Sequence, residues 1–197
     1  MIIIDVEATG PNPRRNSIVS IGAVDFSNGE NEFYGECRIW EESQIDPVAL
    51  KTNGFTEDQL KDPKKDSEAG LLNKFSEWMK QFPNKTLAGQ HPSFDRDFIN
   101  AASKRTGLGM LIWRKTIDLH AICYAHMLGR RLEIPLSDER SDLTTDMIFN
   151  YVGLPKEPRP HNGLTGAKME AEAFSRLIHG KAFLKEFKNH DVPRYLL

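Results

Sequence analysis

The sequence predicts an α/β fold, a mixed five-stranded sheet with helices packed on it. Three observations point there. Three β-rich runs separated by turn segments open the chain. Helix-like and strand-like segments alternate after them. No internal repeat, low-complexity tract or linker divides the chain. Residues 1–180 are therefore read as one domain, with 181–197 as a tail packing on it or extending from it.

Each element has a local reason. "MIIIDVEA" is a short β-branched run, read as a strand buried on both faces. "GPNPRRN" is a turn, and "SIVSIGAVDF" a second strand. "SNGEN" is a tight hairpin connection to a third strand, "EFYGECRIW", which makes an antiparallel meander. "DPVALKTNG" reads as a short helix with Asp46 as N-cap, Pro47 first and Gly54 near its end. "FTEDQLKD" is another helical turn. "SEAGLLNKFSEWMKQF" places Leu71, Leu72, Phe75, Trp78, Met79 and Phe82 at helical spacing. "KTLAGQ" is a fourth strand, and "SFDRDFINAASKRTG" a helix closed by Gly107. "WRKTIDLHAICYAHML" joins a short strand to a helix, and "LEIPLSDERSDL" reads as a loop. "LTTDMIFNYVGL" and "LTGAKMEAEAFSRLI" are two more helices.

The bulk properties exclude several classes. At 197 residues the chain buries a core without staples. A net charge of −2 argues against a protein that coats polyanions, while leaving room for a site that engages a few phosphates. Cys37 and Cys123 form no CxxC pair, so neither a disulfide framework nor a zinc ribbon is indicated. The apolar run at the start is too short for a signal peptide or membrane span, so the expectation is a cytoplasmic protein without a membrane partner.

Three places carry candidate chemistry. Asp5 and Glu7 sit two apart on a strand and share a face, where two acids are costly to bury unless paired or bound to a cation. Asp95 and Asp97 fall on the first turns of a helix, where the dipole also favours carboxylates. His161 precedes a helix in a Gly-containing loop, which suits either a cap or a mobile general base.

Together these pieces resemble a family. "DVEATG" (5–10) matches the D-x-E-x-T-G first motif of the DEDDh 3′-to-5′ exonucleases, the group of ribonuclease T and the proofreading epsilon subunit. "SFDRDFI" matches the second motif, F-D-x-x-F-[LI], and assigns Asp95 rather than Asp97. "HNGLTGAKMEAEAF" looks like the third, H-x-A-L-x-D-A-x-x-T-A. Asp118 also sits where that family has a counterpart. The resemblance implies a ribonuclease-H-like fold and hydrolysis of phosphodiester bonds at the 3′ end of DNA or RNA with two Mg²⁺ or Mn²⁺ ions. It makes Asp5, Glu7 and Asp95 metal ligands, with Glu7 also catalytic and His161 the general base. It further implies contacts to the terminal nucleotides from the backbone of Ala8 and Thr9 and from Leu50, Asn53 and Phe94. The residue type and its helical setting favour a core aromatic for Phe94 over a base contact. Some members of that family dimerise, but no segment here identifies a dimer contact.

The match departs from the family at its last ligand. The expected Asp, five residues after the histidine, is Gly166. One reading has Glu170 replace it: four residues on, it lies on the same helix face, is one methylene longer, and leans back over the preceding turn. A second reading is a catalytically inactive nucleic-acid-binding domain. A third leaves the site working with fewer ligands plus water. Glu172 is expected on a solvated face, as are the pairs Arg14–Arg15 and Arg130–Arg131. A second departure is Gln90-His91, where the family often has His-Asn, and His91 reads equally as polar packing at a strand end.

Overall fold

The computed structural model describes all 197 residues. β1 (Ile2–Ala8), β2 (Ile18–Asp25) and β3 (Glu32–Glu36) form the expected antiparallel meander. β4 (Leu87–Gly89) and β5 (Thr116–Asp118) add in parallel on the other side of β1, giving the order β3-β2-β1-β4-β5. Seven helices complete the chain: α1 (Pro47–Asn53), α2 (Glu57–Lys61), α3 (Glu68–Lys80), α4 (Ser93–Arg105), α5 (Leu119–Gly129), α6 (Thr145–Tyr151) and α7 (Gly163–His179). None is long and apolar enough to cross a membrane.

The helix boundaries follow from local chemistry. Asp46 caps α1 by accepting the Val48 N–H, Pro47 opens the helix, and Gly54 closes it at φ 74°. Thr56 and Gln59 form a capping box at α2. Asn162 caps α7 by accepting from Leu164 and Thr165, and Gly180 ends that helix in the left-handed region.

The sheet carries a core on each face. Ile2, Ile4, Val6 and Ala8 of β1 pack with Leu71 and Phe75 of α3 and Phe98 of α4. Ile3 faces the other way, toward Cys123 of α5, Phe149 of α6 and Phe174 of α7. Side chains alternate along a strand, so Asp5 and Glu7 share the face of Ile3 and lie beneath α7. This parity puts two acids under a helix. Both cysteines are buried and free; burial pushes the Cys123 thiol up to about 12 and raises Cys37 as well. Neither is set up as a nucleophile.

Three expectations need correction. The third strand ends at Glu36 rather than running on to Trp40. There the chain leaves the sheet edge to bridge Cys37 with Asp66, and the Ile39 N–H donates to the Leu60 carbonyl. The segment expected as a loop holds a small hairpin, β6 (Leu136–Ser137) and β7 (Arg140–Ser141). Its turn residues Asp138 and Glu139 both take positive φ, the pattern of a two-residue hairpin turn.

The third correction is Glu172, which is not solvated but fully buried. It pairs with the fully buried Arg176 (Nε to Oε1 2.7 Å) and accepts the N–H groups of Phe183 and Leu184, each at 2.8 Å. Arg176 in turn donates to the carbonyls of Val152, His190 and Asp191. The segment after α7 therefore folds back over the helix and is fastened by this pair. Seen along the helix alone, the position looks open; the covering chain comes from residues 181–191.

Candidate active site: an acidic cleft beneath helix α7

Close packing brings α7 onto the acids of β1. A Cβ at Gly163 would stand 2.7 Å from the Asp5 carbonyl oxygen, and one at Gly22 2.0 Å from the Gly163 backbone. Only glycine allows this approach. A Cβ at Gly166 would lie 1.9 Å from Asp5 Oδ2, so the Asp5 carboxylate fills the space a side chain at 166 would need.

An open cleft of about 380 Å³ results, with no hydrophobic side chain in its lining. It is lined by Asp5, Gln90, Thr144, Thr145, Asp146, Glu157, Arg159, His161 and Glu170. Glu7 and Asp95 adjoin it through their charges. Asp95, from the first turn of α4, is buried and its Oδ1 accepts the Val6 N–H at 2.8 Å, which fastens α4 to β1. Asp97 lies outside, exposed and paired with Arg96. Glu170 is buried, and its Oε2 accepts the Gln90 N–H at 3.1 Å. Asp118 caps α5 and also accepts the His91 N–H. His91 is exposed, at φ 53°.

The electrostatics are lopsided. Burial pushes the Asp5 carboxyl up to about 7. Burial and then the charges of Asp5 and Glu157 push Glu7 to about 8. Burial, then Asp5 and Asp146, push Glu157 to about 8 against the opposing pull of Arg159. Asp95 and Glu170 are held well above the carboxylate range by burial first and then by the Asp5 charge. His161 is shifted the other way, lowered mainly by burial and then by Arg159. Four carboxyl groups, Asp5, Asp146, Glu157 and Glu170, thus line a cleft that holds one arginine, with Glu7 and Asp95 beside it. No three acidic, histidine or cysteine groups are already closed into an ion cage. Like charges hold apart unless a cation draws them in.

The residues fit a hard divalent cation. Carboxylate oxygens are its preferred donors. Two buried polar atoms in the cleft, Glu157 Oε1 and Gln90 Oε1, have no hydrogen-bond partner. Such atoms are costly to leave unsatisfied.

The structure brings Asp5, Glu7, Asp95, Glu170 and His161 into one place. Its further members are Glu157, Asp146, Thr144, Thr145 and Arg159, which the sequence reading does not single out. Thr144, Thr145 and Asp146 form the start of α6, and Glu157 and Arg159 lie in the loop between α6 and α7, where no periodicity marks them. The spacing of Glu157, four residues before His161, is the only signal present.

The predicted nucleotide-contact residues border the end of β1. Asn53 is buried and its Nδ2 donates to the Ala8 carbonyl at 3.1 Å, while its Oδ1 accepts from Phe55. The His161 N–H donates to the Thr52 carbonyl, which ties α1 to the histidine loop; Leu50 is half-buried on the same helix. Thr9 is fully buried, its N–H donating to Ser17 and its carbonyl accepting from Asp46. It presents no unbonded N–H to the cleft. Phe94 is 40% exposed, so the core-aromatic reading gives way to a ring at the surface beside Asp95, with its centroid 4.7 Å from that of Phe98.

Known proteins share this architecture. The DNA polymerase III PolC-type of Bacillus cereus is 30% identical over 107 residues, covering 54% of this chain and 7% of that protein. The PolC-type polymerase of Listeria welshimeri is 28% identical over 132 residues, 66% of this chain and 9% of that protein. The chain thus matches under a tenth of the length of these relatives. Among solved structures, the nuclease domain of 3′hExo, a DEDDh family member bound to rAMP, superposes with a TM-score of 0.69 at 22% identity. That match covers 93% of this chain and 94% of that one. Escherichia coli Exonuclease I in complex with a dT13 oligonucleotide gives 0.68 at 14% identity, covering 89% and 40%. The family described as Exonuclease matches residues 2–174, nearly the whole domain, and the chain belongs to that exonuclease family.

Proposed function

We propose that this protein is a metal-dependent 3′-to-5′ exonuclease acting on nucleic acid with a free 3′ end. The observation that carries the reading is the convergence of Asp5, Glu7, Asp95 and Glu170 beside His161 in a cleft with almost no positive charge. An arrangement so unfavourable to its own charges is explained by a cation. The four acids would hold two Mg²⁺ or Mn²⁺ ions. When bound, such ions supply Lewis acidity at the phosphate oxygens and neutralise charge developing there.

The chain's own residues supply the rest. His161, with its pKa lowered, is neutral at pH 7 and free to accept the proton of an attacking water. The water oxygen bonds to phosphorus as its proton passes to His161, the bond to the 3′-oxygen breaks, that oxygen takes a proton from solvent to leave a 3′-hydroxyl on the shortened strand, and a 5′-mononucleotide departs. Leu50 and Phe94 offer apolar surface to the terminal bases, and stacking of this kind tolerates any base. Arg159 is placed to meet a substrate phosphate. Two structural neighbours support this substrate class: Exonuclease I holds a DNA oligonucleotide, and another is a 3′-exonuclease that recognises the 3′ end of a histone mRNA stem-loop.

Metal removal tests the reading. Protein stripped with a chelator is expected to release no mononucleotides from single-stranded DNA or RNA. Adding Mg²⁺ or Mn²⁺ should restore the release. Hydrolysis that persists at full rate in excess chelator would refute the metal-dependent reading.

A further inference from the structure

We infer that Glu157 supplies the acidic group that Gly166 lacks and completes the cation-binding set with Asp5. The inference rests on the reading of the cleft as a divalent-cation site and adds a member to it. Three observations carry it.

The first is position. The point where a side chain would begin at residue 166 lies 3.3 Å from Glu157 Oε1 and 1.9 Å from Asp5 Oδ2. The space a side chain at 166 would take is filled by the Asp5 carboxylate and bordered by Glu157. Glu170 approaches from elsewhere: its Oε2 lies 3.0 Å from the Cβ position of Gly89 and is bonded to the Gln90 N–H.

The second is an unmet need. The Glu157 side chain is 10% exposed, and its Oε1 is buried with no hydrogen-bond partner. A buried carboxylate oxygen aimed into an acidic cleft without a donor is destabilising. A cation removes that penalty.

The third is anchoring. Leu154 is buried in the core, and the His161 N–H is bonded to Thr52, so the loop that carries Glu157 is pinned on both sides. The carboxylate is held in the cleft rather than swept through solvent. Its other oxygen, Oε2, stands 3.8 Å from His161 Nδ1, which suggests the competing role of orienting the histidine. Glutamine in place of Glu157 separates the two roles, because it keeps the shape and a hydrogen-bonding group but loses the charge.

The experiment is calorimetric titration of Mn²⁺ into chelator-stripped parent protein, Glu157→Gln and Glu157→Asp. Glu157→Gln is expected to weaken Mn²⁺ binding at least about tenfold. Glu157→Asp, which keeps the charge on a shorter arm, should retain more of the affinity. Circular dichroism checks that both variants fold. Mn²⁺ affinities of both variants equal to that of the parent would overturn the role of Glu157 while leaving the metal site standing. A parent that binds no Mn²⁺ would overturn the metal-site reading itself.

Discussion

Asp95→Asn is expected to cut hydrolysis about a thousandfold, since metal-ion stabilisation is worth several kcal/mol and each 1.36 kcal/mol is about tenfold in rate. The substitution isolates charge from structure. Asparagine keeps a carbonyl oxygen able to accept the Val6 N–H, so the tie between α4 and β1 survives. It also removes one of several like charges that raise one another's pKa. The variant should therefore unfold at the same temperature as the parent, or higher, in the absence of divalent cations. Single-turnover hydrolysis and a thermal melt check the two halves. Asp97→Asn, at an exposed site paired with Arg96, should leave both unchanged. Near-parental hydrolysis by Asp95→Asn would remove Asp95 from the ligand set.

Glu172→Ala is expected to destabilise the fold by about 3–5 kcal/mol, the usual cost of leaving a buried charge without its partner. Arg176 would keep its carbonyl contacts but lose the 2.7 Å ion pair, and the N–H groups of Phe183 and Leu184 would lose their acceptor. For a chain of this length that corresponds to a fall of about 10 °C in the unfolding midpoint. Glu172→Gln, which retains an acceptor oxygen, should lose less. A loss below about 1 kcal/mol for the alanine variant would mean that the pair does not fasten the C-terminal segment.

The contrast between Glu170 and Glu172 shows what the sequence can and cannot disclose. Helical spacing puts residue 170 on the face of 166, and the buried acid duly faces Asp5 and Asp95. The same spacing turns 172 away, yet away from the site is not toward water. The tail that covers it lies about ten residues on, and no local pattern announces that contact.

The strands were legible because β-branched runs and turn residues mark them, and the start of α1 because Asp46 is a capping residue, whereas the caps Thr56 and Asn162 of α2 and α7 emerge from the folded chain. The small β6–β7 hairpin was not, since two-residue strands carry too little pattern. Within the site, strand parity and motif spacing brought out Asp5, Glu7 and Asp95. Glu157 stayed hidden because it sits in an irregular loop, and only the folded chain brings it beside Gly166.

The most direct test of the account is to incubate a 5′-labelled single-stranded oligonucleotide with the protein and Mn²⁺ and to resolve the products by length. A metal-dependent exonuclease should give a ladder that shortens one nucleotide at a time from the 3′ end and is lost when the metal is chelated. An oligonucleotide that is bound but stays full-length, as DNA and as RNA, would contradict it and identify a nucleic-acid-binding domain without hydrolytic activity.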